Sequence, residues 1–259
     1  MAETVLITGA SSGIGRELAK LFAADGSDLV LVARGEPALR DLADELRARY
    51  GTDARVLPHD LTDPAAPLAL AGELRDSGTH VDVLVNDAGF GAHGPFAQLP
   101  LERQVEMVQL NVAALTALSR LFLPEMLARR RGGILNVGST AGFQPGPYMA
   151  VYYATKAYVL SFTEGLAGEL AGTGVTATCL APGTTRTGFS RAAGMEGSNL
   201  FRPGTMGAAE VARAGHRGFR AGRALVVPGI LHRTVAALSR AAPLSLTRRI
   251  AARLNGNGE

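Results

Sequence analysis

Tyr152 and Lys156 stand four positions apart, one turn of a helix, so the two side chains share a face. An unaided phenol, with a pKa of about 10, is a poor base at neutral pH. A nearby ammonium stabilises the phenolate and brings the group into use. Such a phenol can give a proton to a carbonyl oxygen or take one from an alcohol. Ser139, thirteen residues before Tyr152 and at the end of an apolar run, can hydrogen-bond the same oxygen. Tyr153 is three positions from Lys156 and also within its reach, so spacing leaves both tyrosines open. Lysine occurs elsewhere only at Lys20, among many arginines, which suits a position that requires an ammonium.

A second chemistry is written near the N-terminus. The apolar run Val5-Leu6-Ile7 reads as a buried strand, and Ile14, Leu18, Leu21 and Phe22 fall at helical spacing. Gly9, Gly13 and Gly15 stand between them, where a strand turns into a helix. A helix N-terminus offers free N–H groups and partial positive charge, which suits a pyrophosphate, and glycine lets the phosphate approach. Ser11 and Ser12 add hydroxyl donors. Arg34 follows Gly15 by nineteen positions, where a dinucleotide fold presents the end of its second strand to the adenosine ribose. An acid there would repel a 2′-phosphate and an arginine would accept it, so NADP(H) is expected over NAD(H).

These residues need a scaffold that brings strand ends together. Apolar runs at 29–33, 54–57, 81–85, 134–137, 175–180 and 224–227 read as further strands. Helical patterns lie between them: one ends near Gly51, one is opened by Pro64 and Pro67 and ends near Gly78, and two cover about 101–131 and 152–171. The alternation implies an α/β fold, a doubly wound parallel sheet of about seven strands with helices on both faces. Ligands bind beyond the carboxyl ends of such strands, where Gly9, Arg34, Asp60, Asn86, Ser139 and Pro182 fall.

In order along the chain, Thr8-Gly9-x-x-x-Gly13-x-Gly15, Asn86-Asp87-Ala88-Gly89, Ser139, Tyr152-x-x-x-Lys156 and Pro182-Gly183-Thr184-Thr185-Arg186-Thr187 resemble the motifs of the short-chain dehydrogenase/reductase family. The resemblance spans about residues 4–228. It implies a single Rossmann-type domain and an oxidoreductase that interconverts a carbonyl and a secondary alcohol by hydride transfer. It implies Tyr152, rather than Tyr153, as the acid/base, Lys156 as the group lowering its pKa, and Ser139 as the binder of the substrate oxygen. Asn111, in Gln109-Leu110-Asn111-Val112, would hold a water near the lysine. For the cofactor it implies Gly9, Ser11, Ser12, Gly13, Ile14 and Gly15 at the pyrophosphate, and Asp60 and Leu61 at the adenine. Asn86, Ala88 and Gly89 would form the turn beside the cofactor, with Tyr152 and Lys156 reaching it too. Pro182, Gly183, Thr185 and Thr187 would meet the carboxamide and pyrophosphate. Asp87 stands where the family has a second asparagine, and keeps a short acceptor.

The domain is expected over 1–229, with a segment at about 187–207 covering the substrate. Phe189, Met195, Leu200, Phe201 and Met206 suggest a largely apolar carbonyl or alcohol as substrate, the alternative being a loop that packs its own apolar side chains. Tyr148 is expected at the substrate mouth. His93 reads as a solvated loop histidine more readily than as a substrate contact. The lone Cys179 cannot form an internal disulfide, and neither a secretory signal nor an apolar run of membrane-spanning length is read, so a cytoplasmic location is expected. No His, Cys, Asp or Glu spacing suggests a metal, and no nucleic-acid partner is expected. A homo-oligomer is expected. The remaining 230–259 form a basic, apolar extension. From Val211 to Gly258 there is no Asp or Glu, yet nine arginines. Pro243 should break any helix there. The extension is expected to pack on the body or a second subunit, with peripheral membrane contact as the alternative. The competing functional class is a non-catalytic NADP-binding regulatory or membrane-associated protein on the same fold.

Overall fold

The computed structural model describes residues 2–189 and 205–256. Met195, Leu200 and Phe201 lie outside the described residues. In chain order the elements are β1 (Thr4–Thr8), α1 (Gly13–Ala24), β2 (Asp28–Ala33), α2 (Glu36–Tyr50), β3 (Ala54–Pro58), α3 (Ala66–Asp76), β4 (Val83–Asn86), α4 (Leu101–Val108), α5 (Leu115–Arg129), β5 (Gly133–Val137), α6 (Ala150–Glu169), β6 (Thr176–Leu180), β7 (Thr185–Arg186), β8 (Met206–Gly207), α7 (Ala208–Arg220), β9 (Leu225–Val226), α8 (Ile230–Ala241) and α9 (Leu244–Asn255). Seven strands form one parallel sheet in the order β3-β2-β1-β4-β5-β6-β9, the Rossmann-type α/β arrangement. The order reverses between β1 and β4, and the carboxyl ends there frame the crevice in which such sheets bind ligands. Register keeps those ends level: Thr8 pairs with Asn86, Asn86 with Asn136, and Val137 with Leu180.

Strands buried on both faces need apolar residues at consecutive positions, which explains the unbroken runs. Val5 and Ile7 of β1 pack on one face with Leu18 and Phe22 of α1, Leu42 of α2 and Phe219 of α7. Leu6 packs on the other with Leu70 of α3, Leu118 and Phe122 of α5, and Ile134 of β5.

Two features depart from the sequence expectation. Residues 101–129 form one continuous helix, but a π-helical turn at Gln109–Ala114 joins α4 to α5. With a mean hydropathy of 1.3 in its most apolar window, that helix is long and apolar enough to cross a membrane by length and composition alone. The expectation that no apolar run approaches a membrane span is corrected here. In the fold the helix packs on the sheet, burying Met107, Ala114, Leu118, Phe122 and Met126. Next, α7 was not foreseen. Gly215 and Gly218 weaken its helical signal, yet a Cβ on Gly218 would lie 2.2 Å from Val226 Cγ2, so the close approach to β9 requires glycine. Arg220 ties α7 to Glu3 and Asp25. The C-terminal extension forms two helices that part at Pro243, where a break is expected, and they meet the body through Ala236, Thr247, Ala251 and Asn255.

Candidate active site

Three of the residues with proton-transfer chemistry converge at the ends of β5 and α6. The backbone of Tyr148 takes an unusual left-handed φ of 65° before α6, and its carbonyl accepts from Gly94 N–H at 2.8 Å. That bend sets Tyr152 and Lys156 in the first turns of α6, both buried. Ser139 lies two residues beyond β5; its Oγ accepts from Ala141 N–H at 3.1 Å and donates to Pro182 O at 3.4 Å. The same hydroxyl lies near enough to the Tyr152 phenol to favour its ionised form. Lys156 Nζ donates to Val137 O at 2.8 Å and lies 5.8 Å from the Tyr152 ring centre. Asn111 sits inside the π-helical turn, a deformation found often at functional sites. Its Nδ2 donates to Phe90 O at 3.0 Å and Thr155 Oγ1 at 3.1 Å, and its Oδ1 accepts from Phe90 N–H at 3.1 Å. A Cβ on Gly89 would lie 2.9 Å from Asn111 Oδ1 and 3.7 Å from Lys156 Nζ, so these three groups are packed together.

Burial dominates the electrostatics of this cluster. It holds the Tyr152 phenol well above its ordinary pKa, with the Ser139 hydroxyl pulling the other way. Burial also lowers the Lys156 pKa, opposed by the charge of Asp87. Burial, and not the expected lowering by Lys156, sets the direction for the phenol in the protein as folded. Tyr153 is separated from its neighbour by orientation: its hydroxyl donates to Asn255 Oδ1 at 3.3 Å, away from Ser139.

The glycine-rich turn has the shape of a phosphate cradle. Gly9 and Gly13 adopt φ of 72° and 59°, which side chains resist. Ser12 is extended at the start of α1, and its own side chain makes no bond to that helix. A Cβ on Gly13 would lie 3.3 Å from Thr187 Cγ2, so Thr187 reaches across from beyond β6 to close the cradle. These observations fit a dinucleotide: a glycine-lined helix N-terminus free of its own cap residue's side chain, and hydroxyls on both sides. Thr8, read only as the residue before the motif, holds the neighbouring turn. Its Oγ1 accepts from the N–H groups of Asp87 and Ala88, each at 3.1 Å. Beneath the turn, Asp87 Oδ2 accepts from Gly15 N–H at 2.9 Å. Burial pushes its carboxyl up to about 7 against the pull of Lys156 and Gly15.

Two expected cofactor contacts turn their side chains inward. Asn86 Nδ2 donates to Asn136 Oδ1 at 2.9 Å and Ser119 Oγ at 3.3 Å, joining β4, β5 and α5. Leu61 is part of the core. Each offers a ligand its backbone only. Arg34 ends β2 with its side chain 72% exposed, Nη1 3.9 Å from Asp60 Oδ2. Asp60 Oδ1 accepts from Thr62 N–H at 3.0 Å and its hydroxyl at 2.7 Å. Opposed by burial, those bonds and Arg34 hold the Asp60 carboxyl below its ordinary range. Pro182 O accepts from Thr140 N–H at 2.9 Å, and Thr185 Oγ1 donates to Gly183 O at 3.0 Å. A Cβ on Gly183 would lie 2.2 Å from His232 Cδ2, so α8 places an imidazole against this turn. Nothing in the sequence pattern marked His232.

Around Tyr152 the walls are apolar. Phe90, Ala92, Met107, Met149 and Tyr153 cluster with it, and the Phe189 ring centre lies 5.1 Å from its own. His93 is not a solvated histidine: its Nε2 lies 2.6 Å from Asn255 O. Asn255 Nδ2 donates to Pro147 O at 2.9 Å. The last residue of α9 thus binds three segments beside the site, which no motif announced. Among the described residues, no cluster of three His, Cys, Asp or Glu could hold a metal ion.

The chain belongs to the short-chain dehydrogenase/reductase family: residues 3–196 match the family model described as short chain dehydrogenase. It is 39% identical over 192 residues to sulfoacetaldehyde reductase 2 of Chromohalobacter salexigens, covering 73% of this chain and 75% of that one. It is 36% identical over 184 residues to a short chain dehydrogenase of Pseudocercospora fijiensis, a match spanning 70% of this chain but 59% of the relative's length. Among solved structures it resembles a short-chain dehydrogenase from Sphingobium yanoikuyae in complex with NADPH, with a TM-score of 0.83 at 38% identity over 91% of this chain and 92% of that one. It resembles equally a short-chain dehydrogenase/reductase from Burkholderia phymatum in complex with NAD, with a TM-score of 0.83 at 30% identity over 95% of each chain.

Proposed function

We propose that this protein is an NADP(H)-dependent oxidoreductase that interconverts a largely apolar carbonyl compound and its secondary alcohol. The observation that carries the proposal is the buried Tyr152 hydroxyl beside Ser139, with Lys156 on the same helix and the glycine-rich cradle at the same strand ends. Tyr152 is the proton donor to the carbonyl oxygen. Its raised pKa keeps it protonated at neutral pH, the form that reduction requires. Ser139 holds the same oxygen and polarises it. Lys156 supplies the charge that stabilises the phenolate once the proton has left. Asn111 retains a free lone pair on Oδ1, beside Lys156, with which to hold a water for reprotonation.

The residues that would hold the cofactor are Gly9, Ser11, Ser12, Gly13, Ile14 and Gly15 at the pyrophosphate, closed over by Thr187. Asp60 and the Leu61 backbone would meet the adenine, with the Asn86 backbone, Ala88 and Gly89 beside it. Pro182, Gly183 and Thr185 would meet the carboxamide, and Tyr152 and Lys156 the nearer ribose. When bound, the nicotinamide ring supplies or accepts the hydride. Arg34, exposed at the end of β2, favours the 2′-phosphate of NADP. The NADPH in the Sphingobium relative's structure supports this preference and the NAD in the Burkholderia one stands against it. The buried Cys179, its pKa raised to about 12, is unreactive and suits a reducing cytoplasm. The exposed Leu101, Val105 and Val108 of α4 favour a homo-oligomer.

A screen of aldehydes, ketones and alcohols, followed by NADPH absorbance, tests the proposal. Carbonyl-dependent loss of NADPH is the expected result. A protein that binds NADPH and turns over none of them is a nucleotide-binding regulator instead.

A further inference from the structure

The two C-terminal helices are docked with their large apolar side chains pointing outward. The inward residues are small or polar: Ala236 on α8, and Thr247, Ala251 and Asn255 on α9. On α9, Leu246, Ile250 and Leu254 recur every four residues and are all exposed. On α8, Leu231, Val235 and Leu238, at spacings of four and three, are exposed too, with Leu238 at 64%, and Ile230 at its start is 83% exposed. Leu244 at the bend between the helices is 69% exposed. An apolar surface of this kind marks a contact with something outside the molecule.

Charge identifies the occupant. Arg249 and Arg253 flank the α9 stripe, and Arg233 and Arg248 are also exposed. Only Arg240 among the arginines of these helices is paired within the described residues, with Glu164. The helices contain no acid. A second copy meeting this face about a two-fold axis would set arginine against arginine. An anionic bilayer complements both parts: leucine and isoleucine enter the acyl boundary while arginines reach the headgroups on their apolar stems. We propose that the outer face of α8 and α9 docks on an anionic lipid bilayer. The inner face of the same helices touches the active site, through His232 at Gly183 and Asn255 at Tyr153, His93 and Pro147. Docking therefore holds the substrate-binding side of the protein close to the lipid.

The test is co-sedimentation of the full chain with vesicles of phosphatidylcholine alone and of equal parts phosphatidylcholine and phosphatidylglycerol. Binding to the anionic vesicles alone, released by added salt, is the expected result. Arg249→Gln with Arg253→Gln should weaken it about tenfold or more. Leu246→Ser, Ile250→Ser and Leu254→Ser together should abolish it, with the sedimentation coefficient of the vesicle-free protein unchanged. NADPH titration reports whether each variant is folded, and the arginine variant stands if the serine variant is not. Failure of the parent protein to bind anionic vesicles overturns the proposal. So does a serine variant that loses self-association instead of vesicle binding, which would assign the face to a second copy.

Discussion

Tyr152 and Tyr153 differ by one position and by the surroundings of their hydroxyls, Ser139 near one and Asn255 bonded to the other. The spacing to Lys156 could not separate them, because positions three and four residues away both face a lysine on a helix. What separates them is the end of α9, too distant in sequence to be seen. Arg34 was legible from its distance to Gly15, since the length of a βαβ unit is nearly constant. Arg34→Ala should erode the preference for NADPH over NADH by about 1.5 kcal/mol, the low end for a charged hydrogen bond because the site is exposed. Calorimetric titration with both cofactors measures this, and equal affinities in the parent would contradict it. Asp87 is more than a substitute for asparagine. Its folded pKa of about 7 lies above the ordinary value of 3.8, so the folded chain holds the proton more tightly than the unfolded one. The cost of burying its charge is absent below about pH 4, grows as pH rises to about 7, and is complete above that. Asp87→Asn keeps the acceptor for Gly15 and removes that cost. Its gain in stability should widen from pH 5 to pH 8, reaching on the order of 2–4 kcal/mol. Thermal melts at both pH values check this; a gap that narrows with pH would refute it.

At the scale of elements, seven strands and most helices were legible because each buried strand must be apolar at every position and each helix along one stripe. Two elements were hidden for opposite reasons. The π-helical turn at Gln109–Ala114 leaves no trace in a pattern that reads as helix throughout, though it carries Asn111. In α7 the glycines speak against a helix, while the packing demands them. Gly218→Ala tests that account: the added methyl meets Val226, and stability should fall by about 1–3 kcal/mol with NADPH affinity retained. Urea unfolding measures the first and calorimetry the second. An alanine variant as stable as the parent would mean that α7 is free to shift.

At the scale of the molecule, the candidate site draws on the ends of β1, β2, β4, β5 and β6, on α6, and on the C-terminal helices. The first six were visible in sequence as motifs, because local turn chemistry forces particular residue types. The contribution of α8 and α9 was not, because His232 and Asn255 are placed by tertiary packing alone. Asn255→Ala removes the ties to Tyr153 and Pro147. It should destabilise the fold by about 1–3 kcal/mol and raise KM for bulky carbonyls more than it lowers kcat. Equal losses of kcat for small and bulky substrates would place the effect on the chemistry instead. The central claim is that Tyr152 delivers the proton. The most direct measurement compares carbonyl reduction and NADPH affinity in Tyr152→Phe and Tyr153→Phe. Tyr152→Phe should still bind NADPH and lose nearly all reduction, while Tyr153→Phe keeps substantial activity. An active Tyr152→Phe beside an inactive Tyr153→Phe would contradict the account.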